Sequence, residues 1–172
     1  MQFENHKKID LAQAVDERAG LRHAGRNLVM TNGCFDLLHA GHVYFLQETA
    51  KLGRPLWILL NSDASVRALK GPYRPIESEE ERAYRLAAFA CVDRILLFHK
   101  PDLVDEIKAL APDIYAKAGD YTLESLHAGE RAAFEAIGTE IHFLPFLAGF
   151  SSTRMIRRIH EAAANEEKNE HA

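Results

Sequence analysis

The chain has 172 residues, 47% hydrophobic and 27% charged, with a formal net charge of −4. Those values fit one globular domain that buries a core without disulfides or structural metal, and they exclude a strongly basic nucleic-acid binder. Cys34 and Cys91 are too few for a secreted disulfide framework, no long apolar run marks a membrane span, and the charged N-terminus lacks a signal-type apolar segment. The expected compartment is therefore the reducing cytoplasm.

Residues 28–31 form the first predicted strand, and 39–52 a helix that stops before Gly53, a residue suited to helix ends. Residues 56–60 are continuously apolar, as in a strand buried on both faces. The polar stretch 61–82 reads as a long loop punctuated by glycine and proline, with Ser78 and Glu81 forming a capping box that opens a helix to about residue 90. A third strand at 95–98 precedes a helix over 101–110 with Pro101 near its first turn. Residues 114–116 and 141–144 are the fourth and fifth strands, with a helix at 130–137 between them. A last helix opens near 151 and enters a polar tail, frayed from about residue 165. Strands separated by helices pair in parallel through right-handed crossovers. The fold class is therefore α/β: a Rossmann-like, doubly wound, parallel five-stranded sheet with flanking helices, one domain over residues 1–172.

Ligands of such sheets bind beyond the carboxyl ends of the strands, where the strand order reverses. The loop after the first strand reads Thr31-Asn32-Gly33-Cys34-Phe35-Asp36-Leu37-Leu38-His39-Ala40-Gly41-His42. His39 and His42 share one helix face, Gly41 opens room for a ligand near the backbone, and a helix N-terminus favours an anion. Two imidazoles there make a phosphate site. The alternative, a zinc site, needs a third ligand that no Cys/His cluster supplies, so no metal-holding set of side chains is expected. The dinucleotide glycine fingerprint, the Walker lysine motif and the serine elbow are all missing from the string. Cys34 has no neighbouring base to make it a nucleophile, and Trp57 and Phe45 belong to the core.

Three later segments are also rich in polar residues. Asp63, Lys70, Arg74 and Arg82 follow the second strand, on a stretch that is either solvated or able to close over a triphosphate. Lys117-Ala118-Gly119-Asp120-Tyr121 follows the fourth strand. Phe150-Ser151-Ser152-Thr153-Arg154 follows the fifth, and its hydroxyls serve as N-caps or as a second anion cradle.

The string from Cys34 to His42 resembles the His-x-Gly-His signature of the cytidylyltransferase-like nucleotidyltransferases. The longer string from Thr31, together with Asn61-Ser62-Asp63-Ala64-Ser65-Val66 and Lys70-Gly71-Pro72-Tyr73-Arg74-Pro75, resembles the adenylyltransferase domains of bacterial ADP-heptose synthases. The resemblance runs from about residue 8 to residue 159. It implies transfer of AMP from ATP to D-glycero-β-D-manno-heptose 1-phosphate, with Mg²⁺, and loss of pyrophosphate. The catalytic residues it implies are His39, His42, Lys70 and Arg82, the last two on phosphates. Nucleotide binding falls to Thr31, Asn32, Gly33, Cys34, Phe35, Asp36, Gly41, Lys117, Gly119, Asp120, Ser151, Ser152, Thr153 and Arg154, the last four beside the leaving pyrophosphate. The synthase pattern has Lys-Gly-Gly-Asp-Tyr where this chain has Ala118: if the first glycine serves a positive φ, alanine is strained there, and if it only gives room, the pocket is narrower. The resemblance further implies a homo-oligomer, a dimer in its simplest form, small-molecule substrates with no nucleic acid or membrane, and a functional link to a separate sugar kinase, which in resembling proteins is often fused ahead. The competing readings are a CTP-dependent cytidylyltransferase acting on glycerol 3-phosphate or a related alcohol phosphate, and a non-catalytic nucleotide-binding module.

Overall fold

Along the second strand the side chains alternate strictly: Trp57 and Leu59 join one buried cluster, and Leu56, Ile58 and Leu60 join another. The same alternation separates Met30 from Val29 on the first strand, so the sheet carries a core on each face. The computed structural model describes residues 4–119, 121–145 and 147–170. Its strands are β1 (Val29–Gly33), β2 (Leu56–Asn61), β3 (Arg94–Phe98), β4 (Ile114–Ala118) and β5 (Glu140–Leu144). Its helices are α1 (Leu11–His23), α2 (Ala40–Lys51), α3 (Asp63–Lys70), α4 (Glu79–Ala87), α5 (Val104–Leu110), α6 (Ala128–Ile137) and α7 (Ser152–Glu170). Ala14 of α1, Ile107 and Leu110 of α5, and Phe134 of α6 cover one face, while Phe45 and Leu46 of α2 and Ala83 and Leu86 of α4 cover the other.

All four strand pairings are parallel, in the order β3-β2-β1-β4-β5. The chain winds outward from β1 to β3, returns beside β1 as β4, and winds outward again to β5. The loops leaving β1 and β4 therefore diverge and open a crevice at the carboxyl edge. This is the doubly wound sheet read from the sequence. No helix among the described residues is long and apolar enough to cross a membrane.

The sequence reading omitted two helices. α1 buries only Ala14 and Arg18, so its apolar stripe is too thin to announce it; a capping box between Asp10 and Gln13 starts it. α3 takes eight residues of the supposed loop after β2. Ser62 caps it by accepting from the Ser65 N–H, and Gly71 at φ 94° ends it. Lys70 is therefore the last residue of a helix and not part of a loop. α5 begins at Val104, so Pro101 precedes the helix instead of sitting in its first turn.

Ala118 closes β4 in register with Leu144, and it is Gly119 that takes a positive φ, 97°. Of the two consequences open for the missing glycine, strain is thus removed. Ala118→Gly should lower stability by about 0.5–1 kcal/mol, the usual cost of glycine inside regular structure. Urea denaturation measures this, and a gain in stability would show strain at Ala118 after all.

Candidate active site

The loop between β1 and α2 is built around a buried carboxylate. Phe35 at φ 46° and Leu37 at φ 56° place non-glycine residues in the left-handed region on either side of Asp36. Each such residue costs about 1–2 kcal/mol, so the surroundings must impose the shape. Asp36 is 1% exposed and accepts from Arg74 Nε at 2.6 Å and from the backbone N–H groups of Ile76 and Glu77 at 3.0 and 3.1 Å. Its own carbonyl accepts from Ser152 Oγ at 2.6 Å, which fastens the start of α7 to the same loop. The Phe35 ring is buried against Gly33, where an added Cβ would stand 3.0 Å from it, and lies 5.4 Å from the His42 ring.

The two histidines follow from that shape. His39 occupies the N-cap of α2 in an extended conformation, and its ring stacks on His42 with centroids 3.9 Å apart. His42 Nδ1 accepts from the His39 N–H at a long 3.4 Å, which leaves Nε2 to carry the proton of the neutral ring and donate it outward. Burial, then the nearby His39 and Lys70, push the His42 pKa down from 6.5 to about 3, against a smaller pull from Asp36. Burial also lowers His39. Both rings are thus neutral near pH 7, each with one N–H to offer. Gly41 makes the stack possible, because a Cβ there would lie 2.9 Å from His39 Nδ1 and 3.3 Å from Phe150 Cβ. The glycine makes room for the His39 ring, a role beyond the ligand access inferred from sequence.

The basic residues divide sharply. Arg82 is fully buried and donates to the carbonyls of Glu77 (3.1 Å) and Cys34 (2.6 Å) and to Asp63 Oδ1 (2.8 Å). Its guanidinium ties α4 to the first loop and to α3, and Arg74 is bound to Asp36. Lys70 is exposed at the end of α3, near enough to His42 to act on its charge. Lys117 is half-buried at the end of β4, donating to Asn32 Oδ1 at 2.6 Å. The same oxygen accepts from Tyr115 Oη at 2.6 Å. Tyr115 was not singled out in the sequence, although a tyrosine in a buried strand always needs a partner for its hydroxyl.

The remaining positions fall around this centre. The Thr31 hydroxyl is buried and donates to the Ala116 carbonyl, binding β1 to β4. Cys34 Sγ lies 3.8 Å from Asn61 Oδ1. Ser151 Oγ caps α7 by accepting from the Arg154 N–H, while Thr153 and Arg154 face solvent. Gly119 follows β4 at the crevice, and Asp120 lies outside the described residues. Among the described residues no three His, Cys, Asp or Glu side chains gather as a metal site. Trp57 and Phe45 are core residues, 1% and 5% exposed.

Comparison with known proteins adds the following. The family model described as cytidylyltransferase-like matches residues 30–159. The bifunctional protein HldE of Trichlorobacter lovleyi is 45% identical over 149 residues, covering 87% of this chain and 30% of that protein. The HldE of Syntrophotalea carbinolica is 46% identical over 138 residues, 80% of this chain and 28% of the relative. In Geotalea uraniireducens the identity is 41% over 160 residues, 93% of this chain and 32% of the relative. The chain thus spans less than a third of the length of these relatives. The lipopolysaccharide core biosynthesis protein from Thermoplasma volcanium GSS1 superimposes with a TM-score of 0.58 at 28% identity, covering 71% of this chain and 97% of that one.

Two measurements check the histidine geometry. The unfolded chain protonates His42 near pH 6.5 and the folded chain only near pH 3, so acid favours unfolding across that window. Stability from this group is complete above about 6.5 and falls as pH drops toward 3; an NMR titration of His42 with a midpoint near 6.5 would contradict the burial. Gly41→Ala should unstack the rings, shifting the His42 Cε1–H resonance while leaving the thermal midpoint equal or higher, as alanine favours helix. An unmoved resonance would mean that the pair does not depend on the glycine.

Proposed function

This chain belongs to the cytidylyltransferase-like family of nucleotidyltransferases, and from that premise we propose that it transfers AMP from ATP to D-glycero-β-D-manno-heptose 1-phosphate, releasing pyrophosphate. The observation that carries the reading is the stacked, neutral His39–His42 pair on the N-terminus of α2. Two fixed N–H donors beside a helix dipole suit an α-phosphate that gains charge during displacement. The leaning towards ATP and a heptose phosphate rests on the resemblance of three strings, and it is supported by HldE relatives at 41–46% identity.

In the reaction, an acceptor phosphate oxygen forms a new bond to the α-phosphorus while the bond to the bridging oxygen breaks, its electron pair leaving with pyrophosphate. A phosphomonoester is largely dianionic at neutral pH, its second pKa being about 6, so no strong base is required. The protein supplies position and charge stabilisation. His39 and His42 hold the α-phosphate. Lys70, Thr153, Arg154 and the N–H groups opening α7 receive the β- and γ-phosphates. Arg82, with its guanidinium spent on Cys34, Glu77 and Asp63, acts by positioning that loop instead of touching phosphate. Mg²⁺ arriving with the triphosphate would supply charge neutralisation there, and Asp36 and Asp63, already paired with Arg74 and Arg82, would leave it to be held chiefly by the substrate. A cytoplasmic location, a homo-oligomeric state and a sugar kinase that supplies the acceptor belong to the same proposal.

The test is pyrophosphate release over a matrix of ATP and CTP against heptose 1-phosphate and glycerol 3-phosphate. The highest kcat/KM is expected for ATP with the heptose phosphate, and His39→Ala or His42→Ala should each cut kcat about 10²–10³-fold, with less effect on triphosphate binding. Efficient CTP use with glycerol 3-phosphate would replace this acceptor and nucleotide, and undiminished kcat in both variants would remove the histidines from the chemistry.

A further inference from the structure

Tyr115 is fully buried on β4, its ring 4.4 Å from that of Phe134. A phenylalanine would fill that place without taking a hydroxyl out of water, a cost that only a hydrogen bond offsets. The hydroxyl does not turn to the backbone. It donates to Asn32 Oδ1 at 2.6 Å, and the same oxygen accepts from Lys117 Nζ at 2.6 Å. Side chains two apart on a strand share a face, so Tyr115 and Lys117 stand together, and the register of Met30 with Tyr115 brings Asn32 level with Lys117. The Thr31 hydroxyl already joins β1 to β4 through the Ala116 carbonyl, so Asn32 is not what pairs the strands.

We propose that Tyr115 is a positioning residue: through Asn32 it holds the Lys117 ammonium at the carboxyl edge of the sheet, ready for a substrate phosphate. The proposal rests on the nucleotidyl-transfer reading above. An ammonium can only donate, so Lys117 takes the oxygen side of the Asn32 amide. The Tyr115 proton takes the second lone pair. Burial, then the Glu130 carboxylate, holds the tyrosine pKa well above its usual value, so the hydroxyl remains a donor. Both lone pairs of the amide oxygen are then filled, and the amide cannot turn without losing a bond. The Tyr121 ring flanks the ammonium, 4.9 Å from the ring centre. Burial lowers the lysine's own pKa, and Glu130 opposes that. A lysine stem is flexible, and fixing its tip in advance leaves less freedom to lose when a phosphate binds.

The test is a double-mutant cycle of Tyr115→Phe, which removes one oxygen, and Lys117→Met, which keeps the apolar stem. KM and kcat are measured for ATP and for heptose 1-phosphate in the wild type, both single variants and the double. Lys117→Met should raise one of the two KM values, and that identifies which substrate brings the phosphate. Tyr115→Phe should raise the same KM about 2- to 10-fold, the worth of one hydrogen bond, with a smaller change in kcat. The double variant should be no worse than Lys117→Met, because the hydroxyl acts through the lysine. Losses that multiply in the double variant, a Tyr115→Phe effect confined to the other substrate or missing altogether, or a Lys117→Met variant with both KM values unchanged would each overturn the assignment. If the wild type transfers no nucleotide, the functional reading fails separately, and side-chain NMR of the free protein decides. Tyr115→Phe should then shift the Asn32 carboxamide and Lys117 ε-methylene signals, which upholds the anchoring; unmoved signals overturn it.

Discussion

A buried carboxylate must be surrounded by donors, and Asp36 collects them from one segment of the chain, residues 74–77. Arg74 and the N–H groups of Ile76 and Glu77 come from the segment after α3, and the Asp36 carbonyl holds Ser152 at the start of α7. These contacts offset two left-handed residues, Phe35 and Leu37, that no local preference would place there. With that turn fixed, the chain enters α2 with His39 at its cap and His42 three residues on. The start of α7, proposed to receive phosphate, is brought beside the same turn. One buried acid thus sets where the histidine pair and the start of α7 stand relative to one another.

The basic residues divide along the same principle. Guanidinium, with its rigid fork of donors, is used inside the protein, where Arg82 bonds three acceptors at once and Arg18 reaches the carbonyls of Leu110 and Ala111. The site is left with lysines at the ends of α3 and β4, and with Arg154 at the solvent edge. An ammonium on a flexible stem can follow a phosphate as the substrates change shape. The arginines that look most like phosphate clamps in the sequence are the ones that build the walls.

The neutrality of the histidines has a further consequence. Two stacked imidazoles 3.9 Å apart cannot both carry a proton cheaply, and burial already opposes it. The rings therefore offer hydrogen bonds instead of net charge. In the proposed transfer, that favours binding that strengthens as charge builds on the phosphate, over tight binding of the ground state. Gly41 and the Phe35 ring keep the pair in register, so orientation is supplied before any substrate arrives.

Much of this was legible without coordinates. The alternation of apolar strands with helices determined a parallel doubly wound sheet, and with it the carboxyl edge as the place to look. The string from Thr31 to His42 determined the loop that carries the proposed anion site, because a strand, a turn and a helix N-terminus are local features. The start of α4 was legible for the same reason, since Ser78 and Glu81 cap each other across three residues. Helix α1 went unread because its apolar period is weak, and α3 because it has only eight residues, two of them buried; their capping residues were the signal that remained. Tertiary structure alone decided how each cation is held. Arg82 and Lys117 look alike as basic residues near the site, and only the packing shows one enclosed by Cys34, Glu77 and Asp63 and the other facing a neutral amide. It also decided that Ala118 sits in extended strand while Gly119 turns, since φ there depends on pairing with β5. Such facts depend on residues that lie far away in sequence, and no local pattern contains them.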